Sequence, residues 1–317
     1  MTAHSAGTAS ERGSLPVAVI SLLLATLFWA GNYVIGAAAV TTIDPLSLVL
    51  LRWSIAVIPL LVIAQLTERP SWRQVFAAWP WLIAGSLFGL LGYNLLLYAA
   101  LQHTDAFDAS LINAFNPALI TLAAAVFLRE RLNPRAAAGV LIALAGVLVV
   151  LSGGNLATLL SGSGFGTGQL LMIGAIIAWT AYTITGRRGP RLPPVTSTAI
   201  QAAIAVLVLT PISLATDGPT LPATGDAVWA LVFIGIFPSV LSYLLWNRAL
   251  TVLPAAGAGV FLNLITVYTA TFTILAGHPY TPAQIVGGGI VIAGVILTNT
   301  PSRRVPARTA DQRQEQT

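Results

Sequence analysis

Long apolar runs, each close to the length needed to cross a bilayer, alternate along this chain with short polar breaks. A membrane helix needs about 20 mostly apolar residues. Ten such stretches can be read, roughly 15–38, 46–66, 79–101, 106–128, 134–152, 167–187, 195–215, 227–247, 255–276 and 281–300. Breaker residues separate them: Asp44-Pro45, Arg69-Pro70, Asn133-Pro134, Gly153-Gly154, Pro193-Pro194, Asp217-Gly218-Pro219 and Pro301. The pattern predicts an all-α membrane protein of ten transmembrane helices.

Within six of the spans, polar and aromatic residues recur at helical spacing. Trp29, Asn32, Tyr33 and Gly36 share one face of span 1, and Trp179, Tyr182, Thr183 and Gly186 one face of span 6. Asn94 and Tyr98 share a face of span 3. Asn113, Asn116 and the helix-bending Pro117 share one of span 4. Ser239, Ser242, Tyr243 and Trp246 follow the second helix-bending residue, Pro238, in span 8, and Asn263 and Thr266 pair in span 9. Spans 5 and 10 are aliphatic with small residues instead: Gly139, Ala143, Gly146, Gly287 and Gly294. Small and polar residues pack membrane helices together and hydrogen-bond across them, which suits spans 5 and 10. Rings mixed with amides and hydroxyls suit a cavity that holds a small organic solute. That reading is adopted for the other six spans.

Composition agrees and excludes a soluble fold. The chain has 317 residues, 56% hydrophobic and only 8% charged, against about 25% charged in an ordinary soluble domain. Without cysteine there is no disulfide framework and no thiolate metal site, and no metal or cofactor is expected. Lysine is also absent, so all 15 basic residues are arginine. Arg12 precedes span 1. Arg69 and Arg73 follow span 2, Arg129, Arg131 and Arg135 span 4, Arg187, Arg188 and Arg191 span 6, Arg248 span 8, and Arg303, Arg304, Arg308 and Arg313 span 10. In a ten-span topology every loop arginine thus lies on one side, and Asp44, Asp105, Asp108, Asp217 and Asp226 lie on the other. Cytoplasmic loops carry the positive excess, so both termini are expected in the cytoplasm, across a bacterial-type inner membrane. The pI near 10.1 is then a topology signal and calls for no nucleic-acid partner.

Arg52 is the one arginine inside a span. An intramembrane charge is a functional hypothesis whose partner must be named. Asp44, Asp105 and Asp108 are the candidates on its side, and a snorkelling or structural ion pair is preferred here to substrate binding. No carboxylate sits mid-span to carry protons, and His103 and His278 fall near periplasmic span ends.

The two halves repeat. "FWAGNYVIG" (28–36) aligns with "AWTAYTITG" (178–186), "YNLLLYAAL" (93–101) with "SYLLWNRAL" (242–250), and Gly139 and Gly146 with Gly287 and Gly294. Five spans per repeat is odd, so the second repeat enters from the opposite side, a plan common among secondary transporters. The expected organisation is a cytoplasmic tail (1–14), a first five-helix repeat (15–152), a periplasmic linker (153–166), a second repeat (167–300) and a cytoplasmic tail (301–317), polar and disordered. "GSGFGTG" (162–168) follows no strand and leads to no Gly-Lys-Ser/Thr, so it is read as linker and not as a phosphate loop. A cleaved signal peptide ending near Ala37-Ala38-Ala39 would delete a helix that the repeat requires.

Three segments carry a family resemblance: "FWAGNYVIG" in the first helix, "PLSLVLLRW" (45–53) entering the second, and residues 100–150, from "ALQHTDAFDASLINAFNPALI" to "LIALAGVLVV", over helices 3 to 5. The chain resembles the EamA-like ten-helix branch of the drug/metabolite transporter superfamily over about 17–300. The resemblance implies alternating access around a cavity lined by helices 1, 3, 4, 6, 8 and 9. It departs at Gly277-His278, where Gly-Glu is usual, and at Asp108, where a small or amide residue is common. The expected function is export of small organic metabolites or amino-acid-like solutes without ATP. The alternatives are a membrane-embedded enzyme on lipid-linked substrates, which would need a catalytic cluster, and a non-transporting scaffold or sensor. Oligomeric state stays open.

Overall fold

The computed structural model describes residues 7–130, 134–155, 166–253, 261–277 and 279–299. The described residues form helices and no strand. Eight helices are long and apolar enough to cross a membrane. They are α1 (Gly7–Ala39), α2 (Pro45–Glu68), α3 (Trp79–Leu101), α4 (Ala106–Phe127), α5 (Pro134–Leu151), α6 (Thr167–Arg188), α7 (Pro194–Ala215) and α8 (Gly225–Leu250). Two shorter apolar helices follow, α9 (Asn263–Leu275) and α10 (Pro282–Asn299). Residues 255–260 of the expected ninth span, residues 156–165 of the expected linker, His278 and the tail from 300 lie outside the described residues.

Several helices begin where the sequence supplies a cap. Asp44 accepts the backbone N–H of Ser47 at 3.0 Å at the start of α2, with Pro45 in the first turn. Asp105 does the same for Asp108 at 2.7 Å before α4. The start of α7 is capped from outside its own helix. Glu68, at the end of α2, accepts Val195 N at 2.9 Å, Thr196 N at 2.7 Å and Thr196 Oγ1 at 2.6 Å. Its negative charge there also meets the positive end of the helix dipole. Large apolar side chains point outward from the bundle, including Ile58, Leu66, Leu141, Leu207 and Leu214, each about two-thirds exposed or more. In water such a surface would drive aggregation; in a bilayer it is the lipid face.

The helices pack in pairs that exchange when the halves exchange. Contacts join α1 with α8 and α6 with α3, α1 with α9 and α6 with α4, and α2 with α8 and α7 with α3. Corresponding helices also meet each other. At one end of the α2/α7 pair Ser47 Oγ accepts Thr220 N, and at the other end Glu68 caps Val195, so the two run antiparallel. A Cβ on Gly139 would touch Thr298 and Gly294 O, and one on Gly146 would touch Val291 and Gly287 O. Position rises along α5 as it falls along α10, so this pair is antiparallel as well. The small residues let these two backbones meet at close range.

Three segments depart from α geometry. π-helical turns occupy Ala64–Glu68 at the end of α2, Ser86–Gly92 in α3 and Phe237–Leu241 in α8. The last two lie at corresponding places, directly before the aligned "YNLLLYAAL" and "SYLLWNRAL". π turns concentrate at functional sites because they free backbone groups and re-aim side chains. α4 breaks at Phe115, with Pro117 two residues into its second half.

Candidate functional site

A cavity of about 80 Å³ lies among α1, α2, α3, α4, α6, α8 and α9. It is lined by Trp29, Asn32, Tyr33, Arg52, Tyr93, Asn94, Asn113, Asn116, Pro117, Trp179, Tyr243 and Asn263, with Ala114, Ile120, Leu262 and Ile265 between them. It continues into a vestibule of about 770 Å³ through shared walls at Trp29, Pro117, Ile120, Trp179, Tyr243 and Leu262. The vestibule reaches Trp81, Arg187, Gly189, Pro190, Arg191 and Leu192, so it opens on the face that carries the loop arginines. Its volume falls in the range of small-molecule pockets. Spans 5 and 10, expected as helix glue, contribute no lining residue.

Arg52 lies at the wall of the deep cavity, 3% exposed. Its Nε and Nη2 donate to Ser239 Oγ at 3.0 and 2.8 Å, and its Nη1 donates to Asn94 Oδ1 at 2.7 Å and to the Tyr98 hydroxyl at 2.6 Å. Each acceptor is itself held. Tyr98 donates to Asn32 Oδ1 at 2.7 Å, Asn94 Nδ2 donates to Leu90 O at 2.8 Å, and Ser239 Oγ donates to Ile234 O at 2.6 Å. Leu90 lies in the π segment of α3 and Ser239 in that of α8, so both departures from α geometry serve this one guanidinium. The expected ionic partners are elsewhere. Asp44 and Asp105 cap helices, and Asp108 Oδ1 accepts Gln284 Nε2 at 2.7 Å. Among the described residues the one salt bridge joins Arg187 and Glu130 at 3.2 Å, both exposed. The ion-pair reading of Arg52 is therefore corrected. The side chain is sunk between helices from both repeats, too far inside to snorkel, and its acceptors are neutral.

The aromatic residues form two connected groups. Trp29 packs against Tyr243 and Trp246 with centroids 5.8 and 5.5 Å apart. Trp179 packs against Tyr93 and Tyr182 at 5.0 and 5.1 Å. Trp29 Nε1 donates to the carbonyl of Pro238 at 3.1 Å, one of the groups set free around the α8 π turn. The hydroxyls of Tyr33 and Tyr93 are 2.8 Å apart, and Tyr93 donates to Asn113 Oδ1 at 3.3 Å. Asn116 Oδ1 accepts Thr180 Oγ1 at 3.2 Å. Both asparagines of span 4 therefore line the cavity and also tie helices together.

Some expected lining residues fall elsewhere. Tyr98 and Ser239 stand behind the wall as partners of Arg52. Tyr182 and Trp246 line the vestibule and not the deep cavity. Ser242 lines neither: its hydroxyl donates to Ala25 O at 3.0 Å and fastens α8 to α1. Tyr93 was not anticipated. It lies about 100° around the helix from Asn94, outside the Asn94/Tyr98 face, and the cavity wall is wider than one such stripe. Asn263 is buried with neither amide atom hydrogen-bonded to a described residue.

The EamA-like transporter family model matches residues 16–152 and again 166–300. An uncharacterized transporter of Bacillus subtilis, YyaM, is 30% identical over 90% of this chain and 94% of its own. A probable terminal-alkyne amino-acid exporter of Streptantibioticus cattleyicolor is 27% identical over 94% of this chain and 99% of its own. The aromatic amino acid exporter YddG of Ancylobacter novellus is 27% identical over 69% of this chain and 77% of its own. One solved structure superposes with a TM-score of 0.63 at 23% identity, covering 89% of this chain and 97% of that one, a likeness of fold.

Proposed function

The chain belongs to the EamA-like transporter family, a multi-pass bacterial membrane protein, and on that premise we propose that it is a secondary transporter of small organic metabolites or amino-acid-like solutes. Ten spans form two inverted five-helix repeats, 15–152 and 167–300, with both termini in the cytoplasm. The antiparallel α2/α7 and α5/α10 pairs support the inversion, and the one-sided arginines support the orientation. Solute exchanges between the two sides by alternating access, and the names of the two amino-acid exporters favour the outward direction. Trp29, Asn32, Tyr33, Asn94, Asn113, Asn116, Trp179, Tyr243 and Asn263 contact the solute in the deep cavity. Tyr182 and Trp246 line its approach.

One observation carries the reading: a ring-and-amide cavity between the two repeats is open through a wide vestibule to the arginine-bearing face and closed at its other end. That closure is built from contacts between repeats, including Arg52 with Ser239, Thr266 Oγ1 donating to Ser110 O at 3.0 Å, and Gly168 set against the carbonyl of His103. The test is flux. Purified protein in proteoliposomes is expected to move a subset of a metabolite panel down its gradient. No flux of any solute by folded protein sinks the proposal.

A further inference from the structure

We propose that the cavity selects net-anionic solutes: small carboxylates with an aromatic or apolar body and no ammonium group, with the Arg52 guanidinium specifying the charge. The inference rests on the transporter reading and narrows its substrate class. A guanidinium stays protonated in a protein. Burying a charge without a counter-charge is expensive even when its hydrogen bonds are satisfied. Arg52 has four of its five N–H groups hydrogen-bonded and no counter-charge among the described residues. Its acceptors are Ser239, Asn94 and Tyr98, and its other near neighbours are the faces of Trp53 and Tyr98, 5.0 and 5.6 Å away. No described carboxylate comes within ion-pair distance of it.

The remaining lining points the same way. Among the described residues neither the cavity nor the vestibule has an aspartate or glutamate in its wall, and Arg191 flanks the mouth beside Arg187, which is paired with Glu130. A carboxylate that follows this path meets no described carboxylate in its walls and ends beside a cation without a counter-charge. An ammonium group finds no anion to replace its hydration and is repelled at the closed end. Of the five N–H groups of Arg52, four are engaged and one on Nη2 is left among the described residues. A second anchor is ready as well. The Asn263 amide, 7% exposed, lines the same cavity with both its oxygen and its nitrogen unpartnered among the described residues. Buried amides are normally satisfied, and a polar substituent on the solute would satisfy this one. Trp29, Trp179 and Tyr243 supply the apolar contact for the body.

A charge series on one skeleton tests this without knowledge of the natural solute. Tryptophan fluorescence of the purified full chain is titrated with 3-phenylpropionate, 3-phenylpropionamide, phenylalanine and 3-phenylpropylamine. The anion is expected to bind about tenfold or more tighter than the amide and the zwitterion, and the amine weakest. Arg52→Gln is expected to bring the anion down to the affinity of the amide, and Arg52→Lys to keep part of the preference. A purely structural Arg52 would lower the melting temperature and leave the order of the four probes unchanged. Equal binding of anion and amide, tight binding of the amine, no binding of the anion, or an unchanged preference in Arg52→Gln overturns the inference. Should Arg52→Gln fail to fold, the wild-type series decides alone. Flux of neutral or zwitterionic solutes with no preference for anions overturns this inference and leaves the transporter standing. Absence of all flux removes the transporter.

Discussion

Ser239 is the residue on which the buried charge leans most. One hydroxyl oxygen accepts from both Nε and Nη2 of Arg52 while its proton goes to Ile234 O. Hydrogen bonds to a charged group contribute about 1.5–3 kcal/mol each. Ser239→Ala is expected to cost about 2–3 kcal/mol, within that range, read as a lower melting temperature in detergent. Ser242→Ala, three residues on, loses one neutral hydroxyl–carbonyl bond to Ala25, worth about 1 kcal/mol. It should leave flux near wild type, and equal stability losses in the two variants would contradict the assigned geometry. Asn116→Trp places an indole where the deep cavity meets the vestibule wall at Pro117 and Ile120. It is expected to abolish flux in a protein that still folds; undiminished flux would remove α4 from the solute path.

At the scale of the element, close backbone approach and capping decide stability. A Cβ on Gly294 would lie 2.3 Å from the backbone nitrogen of Ala143, so α5 and α10 must part to admit it. Overpacking of this kind costs about 1–3 kcal/mol, so Gly294→Ala should melt clearly below wild type. Gly289→Ala, on the same helix with open space around it, is the matched control and should not. Asp44 offers a pH test. Partial burial pushes its carboxyl up, but hydrogen bonds from the Ser47 side chain and backbone, from Thr220 and from Leu46 outweigh that and hold it below the usual carboxylate range. A lowered folded pKa stabilises above the unfolded value, and the gain is lost as pH falls through the folded one. Asp44→Ala should therefore cost about 0.5–1 kcal/mol near neutrality. The gap to wild type should close below about pH 4, as monitored by thermal melts across pH.

At the scale of the molecule, the absence of cysteine makes orientation directly measurable. Single cysteines replacing Arg73 and Asp217 should be labelled from opposite faces of right-side-out vesicles, Asp217→Cys from outside and Arg73→Cys only after permeabilisation. Labelling of both from one side would break the ten-span topology. Asn247→Cys, in the vestibule wall, should react from the same side as Arg73→Cys.

Local spacing and composition, by themselves, determined the membrane class, the places of the apolar segments, the duplication and the sorting of α5 and α10 from the polar helices. Each of these follows from a run length, a helical period or a charge count, which neighbours along the chain define. The tertiary structure decided what faces what. Arg52 meets Asn94, Tyr98 and Ser239, which lie 42, 46 and 187 residues away, and no periodicity reports which helix faces cross at that separation. Of the carboxylates on its expected side, Asp44 and Asp105 were drawn into helix caps by their own neighbours, and Asp108 was taken by Gln284, 176 residues away. Tyr93 entered the cavity because the wall spans more of α3 than a single i, i+4 face. Ser242 left it because the α8 π turn and the α1 crossing direct its hydroxyl at Ala25. Helical pattern names the polar faces, and the crossing geometry of packed helices assigns each of them to solute, to a buried charge or to another helix.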